Sequence, residues 1–104
     1  MEDLTKHYLI SGRVQGVGFR AFTKRLAGEL KLNGWVRNLD DGRVEALVIG
    51  SELQLKSFEA MLSKGPPHGQ VDSMQVSQLK GNETKPLTGQ FEIRKDGAKP
   101  CADD

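Results

Sequence analysis

The chain has 104 residues, with 15 Lys and Arg against 14 Asp and Glu, so its formal net charge is +1. This length allows one small core without disulfides or metals and excludes two domains. The balanced charge argues against a dedicated nucleic-acid binder, which needs clustered Lys and Arg, and the 37% hydrophobic content is that of an ordinary folded domain. The 12 glycines indicate a place where the backbone needs unusual dihedral angles or a close approach.

The sequence predicts a cytoplasmic protein that does not enter membranes. The chain begins with the acidic sequence Met-Glu-Asp, and no apolar stretch of the kind found in a secretory signal follows it. The longest aliphatic run, residues 46–49, is far shorter than the roughly 20 residues of a membrane helix. Cys101 is the single cysteine, so it has no partner for a disulfide within the chain.

The first third of the chain predicts a strand, a glycine-rich loop and a helix. The β-prone residues 8–11 run into the glycine-rich residues 12–18. From there the apolar side chains recur at helical spacing, and Asn33-Gly34 is expected to supply the left-handed residue that stops the helix. The expected buried face consists of Phe19, Phe22, Leu26, Ala27 and Leu30.

A hairpin and a second helix follow. Residues 35–39 and 43–49 are rich in β-formers and flank Asp40-Asp41-Gly42, a turn sequence that tolerates positive φ. Ser51 and Gln54 have the spacing of a capping box, so a helix is expected to start at about Glu52. Its expected buried face is Leu55, Phe58, Met61 and Leu62, and Gly65-Pro66-Pro67 ends it.

The last third predicts an alternating strand, a loop and a short strand. Met74 and Val76 alternate with polar neighbours in residues 73–78, which suits a strand buried on one face, although Val71 is out of phase. Residues 81–89 read as a loop. Phe91 and Ile93 alternate with charged residues in a last strand, residues 91–94.

This order of elements predicts an α+β fold of the split βαβ type, an antiparallel sheet covered on one face by two helices. Right-handed crossovers make the first and second strands parallel, with the third strand inserted between them. Their carboxyl ends then lie at one edge of the sheet, which brings the glycine-rich loop close to Asn38. We expect one domain over residues 1–95 and a C-terminal tail over residues 96–104.

The loop at residues 15–20 is a candidate anion site. A helix N-terminus offers free N–H groups and partial positive charge, and Gly16 and Gly18 allow several of these groups to point at one anion. Arg20 adds a planar fork that matches a phosphate. The equally weighted alternative is a glycine-rich turn beside a surface arginine.

Gly16-x-Gly18-x-x-Ala21 also fits a dinucleotide fingerprint, but 104 residues with a hairpin after the second strand do not make a doubly wound fold.

Other chemistries find little support in the sequence. His7 and His68 lie far apart with no cysteine or acid at metal-ligand spacing, so no metal site is expected. Cys101 has no orienting partner for nucleophilic catalysis. Asp40 and Asp41 are better explained by the turn that they occupy than as paired catalytic acids.

The motifs resemble those of the acylphosphatases over nearly the whole chain. The resemblance is carried by Ser-Gly-Arg-Val-Gln-Gly-Val-Gly-Phe-Arg at residues 11–20, Gly-Trp-Val-Arg-Asn at 34–38 and Asp-Gly-Arg-Val-Glu at 41–45. It continues through residues 65–67 and 91–94, although Lys95 stands where similar chains often have an aromatic residue.

The resemblance implies a ferredoxin-like enzyme that hydrolyses the carboxyl–phosphate bond of small acyl phosphates without a metal or an organic cofactor. It implies that Arg20 binds the phosphoryl group and that Asn38 orients the attacking water. The backbone N–H groups expected to share the phosphoryl group belong to Gln15, Gly16, Val17, Gly18 and Phe19. Nothing in the sequence demands a partner, so a monomer is expected.

Two alternatives from other classes stay open at this point. A module that binds a phosphorylated ligand without turnover would use the same loop, but it would give Asn38 no task. An RNA-binding domain on the same fold would need aromatic platforms on the central strands and a basic face. Residues 43–49 contain no aromatic side chain, which disfavours this second alternative.

Overall fold

The computed structural model describes residues 3–79 and 91–98. In chain order these form β1 (Leu4–Arg13), α1 (Phe19–Glu29), β2 (Asn33–Asn38), β3 (Val44–Gly50), α2 (Glu52–Leu62), β4 (Gln70–Leu79) and β5 (Phe91–Ile93). The strands make one sheet in the order β4-β1-β3-β2-β5. The predicted α+β architecture is confirmed.

The topology places the ends of β1 and β2 together. β3 pairs antiparallel with both β1 and β2, so these two strands are parallel to each other with β3 between them, as predicted. β5 pairs with the outer side of β2 in parallel, which makes the sheet mixed at this edge. One face of the sheet and the two helices share a core that includes Tyr8, Ile10, Phe19, Val36, Val44, Val48, Leu55 and Phe58.

The first helix has the predicted buried face and a different stop. Phe19, Leu26 and Ala27 are buried, and Phe22 and Leu30 pack partly buried against the same core. The left-handed residue that ends the helix is Lys31, with φ of 58°, and not the expected Asn33-Gly34. The Leu32 N–H donates to the Ala27 carbonyl at 2.9 Å and the Lys31 N–H to the Gly28 carbonyl at 3.2 Å. These two bonds are the Schellman arrangement, closed by a lysine where glycine is usual.

Gly34 lies inside β2 and has another task. Its φ of 142° is unfavourable for any residue with a side chain, and a Cβ there would lie 1.9 Å from the carbonyl oxygen of Leu47 on β3. The glycine therefore allows β2 and β3 to approach each other closely. Gly34 is thus required by the fold, but for a close contact between two strands and not for the end of the helix.

The second helix follows its predicted signals closely. The Ser51 hydroxyl accepts from the Gln54 N–H at 3.1 Å, and the Gln54 side chain accepts from the Ser51 N–H at 2.8 Å, which completes the capping box. Gly65, with φ of 69°, follows the helix in the left-handed region. Met61 was expected in the core and is 45% exposed. It flanks the buried stripe, whose members are Leu55, Phe58 and Leu62.

The strand β4 is longer than predicted and buried less. Met74 packs partly against the core, but Val76 is 41% exposed on β4, which is an edge strand of the sheet. The pairing with β1 shifts register between Ser11 and Gly12, so Asp72 is an extra residue on β4. This bulge returns Val71 to the core side, which explains why it is out of phase in the sequence.

A buried ionic group crosses the opposite face of the sheet. Glu45 on β3 is fully buried, and its carboxylate lies 2.7 Å from Nε2 of His7 on β1. Its other oxygen accepts from Nε of Arg37 on β2 at 2.6 Å. Because a buried carboxylate is costly without partners, these contacts connect the three central strands.

Parts of the sequence prediction fall outside the described residues. These are the loop at residues 81–89, Cys101 and most of the expected tail. Within the described part of that tail, Gly97 donates its N–H to the Asn38 carbonyl at 2.9 Å and accepts from the Asp40 N–H at 2.8 Å. No helix in residues 3–79 or 91–98 is long and apolar enough to cross a membrane.

Gly34→Ala should destabilise the fold by at least about 2 kcal/mol more than Gly42→Ala. Both glycines have positive φ, but only at Gly34 does an added methyl group meet backbone, whereas at Gly42 it meets no described atom within 4 Å. Backbone strain of about 1–3 kcal/mol is common to both variants, and forcing two strands apart adds a similar amount in Gly34→Ala alone. Urea unfolding of both variants measures the difference. Equal losses would contradict the close approach of β2 and β3.

Candidate active site

A pocket of about 300 Å³ lies where the carboxyl ends of β1 and β2 meet the start of α1. It contains residues from the glycine-rich loop, the first turn of α1, the end of β2 and β5. The lining residues are Val14, Gly16, Gly18, Phe19, Arg20, Ala21, Asn38 and Ile93. The predicted convergence of the loop with Asn38 is therefore present.

The loop owes its shape to two glycines in the left-handed region. Gly16 has φ of 75° and Gly18 has φ of 79°, and a Cβ on either would meet no described atom within 4 Å. The glycines are thus required by backbone conformation and not by crowding. They turn the chain from β1 into α1 and leave the space in front of the helix open.

The N-terminus of α1 carries no side-chain cap. Gly18 is the N-cap residue, and the first turn contains no acidic side chain. The Phe22 N–H donates the first helical bond, to the Gly18 carbonyl at 3.0 Å, so the N–H groups just before it have no acceptor within the helix. This end of the helix, which borders the pocket, is suited to an anion.

Asn38 ends β2 beside this loop. The residue is only 9% exposed, and its Oδ1 atom is buried with no hydrogen-bond partner among the described residues. Its backbone carbonyl is occupied by Gly97. A buried amide oxygen without a partner costs about 1–3 kcal/mol, which a bound water or ligand would relieve.

The remaining loop residues have other surroundings. The Gln15 side chain points to the hairpin between β2 and β3, where Nε2 donates to the carbonyls of Leu39 and Arg43 at 2.8 and 2.9 Å. Val17 is partly buried against the core. Neither side chain lines the pocket, so only their backbone groups are candidates for contact with a ligand.

Comparison with known proteins agrees with the motifs. The family model described as Acylphosphatase matches residues 6–93. A curated acylphosphatase of Pseudomonas aeruginosa is 48% identical over 79 residues, which are 76% of this chain and 87% of that protein. The chain belongs to the acylphosphatase family.

Solved acylphosphatase structures share the fold. The crystal structure of the acylphosphatase from Bacillus subtilis superposes with a TM-score of 0.80 at 41% identity, covering 88% of this chain and 98% of that one. An acylphosphatase from Coxiella burnetii gives 0.81 at 31% identity, covering 89% and 94%. Membership of this family of acid-anhydride hydrolases and the ferredoxin-like fold are thus confirmed.

Sequence reasoning did not include Val14 and Ala21 among the site residues, although both line the pocket, and it missed two residues at the C-terminal end of the described chain. Ile93 lines the pocket from β5 and is 42% exposed. Asp96 places Oδ1 at 3.3 Å from Nη1 of Arg20, and both side chains are partly exposed. Alternation along residues 91–94 put Ile93 on the face of Phe91, but only the parallel pairing of β5 with β2, in which Ile93 lies opposite Val36, brings it to the pocket. No sequence signal connects residues as distant as Arg20 and Asp96.

Asp41, considered in the sequence as one of a pair of catalytic acids, makes its contacts within the turn after β2. Asp41 accepts from the side-chain Nε and the backbone N–H of Arg43 at 2.8 and 3.0 Å. The hydrogen bond from the Arg43 guanidinium, together with that from its backbone, lowers the pKa of Asp41 below its usual range. Asp41 therefore serves the turn that follows β2, in agreement with the sequence interpretation.

Asp96→Asn should change the free energy of unfolding by less than about 0.5 kcal/mol. The side chains of Arg20 and Asp96 are 40% and 57% exposed, and an ion pair in that setting is screened by water. Glu92→Gln, which removes an ion pair with Arg94 at similar exposure, is the matched control. Urea unfolding compares the two variants. A loss above about 1 kcal/mol in Asp96→Asn alone would show that this pair attaches the segment after β5 to the fold.

Proposed function

We propose that this member of the acylphosphatase family hydrolyses acyl phosphates to a carboxylate and inorganic phosphate in the pocket between α1 and β2. Arg20 and the backbone N–H groups of residues 15–19 bind the phosphoryl group, and Asn38 orients the attacking water. The observation that carries the proposal is the buried, unpartnered amide oxygen of Asn38 in the pocket that Arg20 lines. Family membership supports the reaction type.

The phosphoryl end of the substrate fits the loop by charge and shape. The uncapped N-terminus of α1 supplies partial positive charge, and the left-handed Gly16 and Gly18 keep side chains out of the space in front of it. Arg20 keeps a planar array of donors, of which the structure engages one with Asp96. Its remaining donors can form parallel bonds to two phosphoryl oxygens.

Asn38 supplies the second half of the chemistry. A water that attacks phosphorus in line needs a fixed position, and a side-chain amide can both donate to it and accept from it. A half-turn of the amide exchanges its oxygen and nitrogen at no cost in shape, so either atom can face the water. Burial of Asn38 restricts the side chain, which reduces the entropy lost on positioning the water.

The leaving group makes a protein acid unnecessary. A carboxylic acid has a pKa of about 4, so the carboxylate departs at neutral pH without being protonated. Phosphoryl transfer through a loose transition state depends mainly on positioning and on stabilising charge at the phosphoryl oxygens. We assign the proton of the attacking water to the phosphoryl group of the substrate itself, since Asp96, the carboxylate that pairs with Arg20 among the described residues, is exposed.

The non-catalytic alternative explains fewer features. A module that only binds a phosphorylated ligand needs the loop and Arg20, but not a buried amide without a partner. The RNA-binding alternative needs exposed aromatic side chains on the central strands. The aromatic residues of the central strands, Tyr8 on β1 and Trp35 on β2, are both buried, at 0% and 4% exposure.

We further propose that residues 1–95 form the domain, that the protein is a monomer acting on small acyl phosphates, and that it is located in the cytoplasm. The single cysteine in the sequence is compatible with a reducing compartment.

Arg20→Ala should lower kcat/KM for benzoyl phosphate by at least about 10³-fold, because charge-assisted bonds to the phosphoryl group are lost. Asn38→Ala should lower kcat by about 10²-fold with a smaller change in KM, because the water loses its position and phosphate binding survives. Absorbance assays on chelator-treated protein measure both, with inorganic phosphate as a competitive inhibitor.

The chain supplies matched controls for these two variants. Arg25→Ala removes an exposed arginine from the same helix, and Asn33→Ala removes an asparagine from the same strand on its other face. Both should keep wild-type kinetics. Folded wild-type protein without turnover would refute the proposal and favour the binding module. Full activity in Arg20→Ala would refute the assigned phosphate site.

Asn38→Asp tests the assignment of the proton. If the reaction lacked only a general base, a carboxylate beside the water would raise the rate. We expect a fall in kcat instead, because the negative charge repels the phosphoryl group and the amide donor is lost. The pH profile of kcat for this variant gives the measurement. A rate above that of the wild type would contradict proton transfer to the substrate.

A further inference from the structure

The Gln15 side chain joins the two halves of the pocket. Its Nε2 atom lies 2.8 Å from the Leu39 carbonyl and 2.9 Å from the Arg43 carbonyl, 24 and 28 residues along the chain. Both partners are acceptors only, so they identify the amide nitrogen and occupy both of its hydrogens. The Gln15 amide nitrogen therefore has no hydrogen left for a phosphoryl oxygen.

The two carbonyls belong to the turn that fixes the end of β2. The Leu39 N–H donates to the same Arg43 carbonyl at 2.8 Å, so Gln15 and Leu39 share this acceptor. Leu39 directly follows Asn38, and Gln15 directly precedes Gly16. One side chain thus connects the backbone beside the buried amide to the backbone of the glycine loop.

The loop needs such an attachment. Gly16 and Gly18 have no side chains with which to fix their own backbone, and the space around them is open. A shift of the loop against β2 would change the distance between the phosphoryl group and the water. Misplacement by about 1 Å can cost about 10²-fold in rate.

We propose that Gln15 is a positioning residue that sets the distance between the phosphoryl-binding loop and Asn38. It acts through the Leu39 and Arg43 carbonyls and does not touch the reacting atoms. The inference rests on the proposed function, since it assumes that Asn38 orients the water. Glutamate has the same length and no amide donors, and asparagine is one methylene shorter, so neither replaces Gln15.

A double-mutant cycle in the 104-residue chain tests this role. Gln15→Ala should lower kcat for benzoyl phosphate by about 10- to 100-fold and change the inhibition constant of inorganic phosphate by less than about threefold. In the Asn38→Ala background the same substitution should lower kcat by less than about threefold, because no oriented water is left to misplace.

Gln54→Ala is the matched control. The Gln54 side chain also donates from Nε2 to a carbonyl 24 residues away, that of Leu30 at 2.8 Å, but it lies at the start of α2 and does not line the pocket. Its loss should lower stability and leave kcat unchanged. Gln15→Met, which keeps length and removes the donors, is the second variant and should reproduce the fall in kcat.

The failures of the two proposals are distinguishable. Wild-type kcat in Asn38→Ala would refute the proposed role of Asn38. If Asn38→Ala lowers kcat as expected, equal effects of Gln15→Ala in both backgrounds would overturn the positioning role alone. A loss of phosphate affinity parallel to the loss of kcat would also overturn it, and so would failure of both Gln15 variants to fold.

Discussion

The fully buried carboxylate of Glu45 is the interaction on which the arrangement of the pocket depends. It contacts His7 on β1 and Arg37 on β2 from the strand between them, at 2.7 and 2.6 Å. A buried ion of this kind is stable only while its partners stay in place, and loss of one partner typically costs about 3–5 kcal/mol. The pairing therefore fixes β1 and β2 relative to each other, and each of these strands ends at the pocket.

Adjacent residues of β2 have different roles because their side chains lie on opposite faces of the sheet. Arg37 turns to the ionic face and Asn38 to the helix face, because neighbours in a strand point to opposite sides. The strand that holds the amide is thus anchored by the residue before it and, through the Gly97 N–H, by the segment after β5. The role proposed for Asn38, holding a water in one position, would benefit from a backbone held on both sides.

Sequence alone predicted the elements of the fold and the glycine-rich loop because their signals are local, whereas the proximity of Asn38 to this loop followed from the topology. Glycine at a left-handed position, a capping box and an Asp-Gly turn each follow from the conformation of a few neighbouring residues. Gly34 shows the limit of this reasoning, since a glycine that permits a helix stop and one that permits a strand contact look the same in a sequence. Ile93 and Asp96 were missed because β5 pairs with β2 across the chain, and Met61 because helical periodicity does not define the width of the buried stripe.

The two helices of this chain show how stability and function compete at a helix N-terminus. α2 starts with a capping box in which Ser51 and Gln54 each accept from the other's backbone N–H, and Glu52 in its first turn complements its dipole. α1 starts with a left-handed glycine and has no acidic side chain in its first turn, so its free N–H groups are not satisfied by a cap. This end of the helix borders the pocket. An N-cap side chain contributes about 1 kcal/mol, and α1 lacks that contribution. A bound phosphoryl group would satisfy the same N–H groups, so ligand binding would supply what local capping does not.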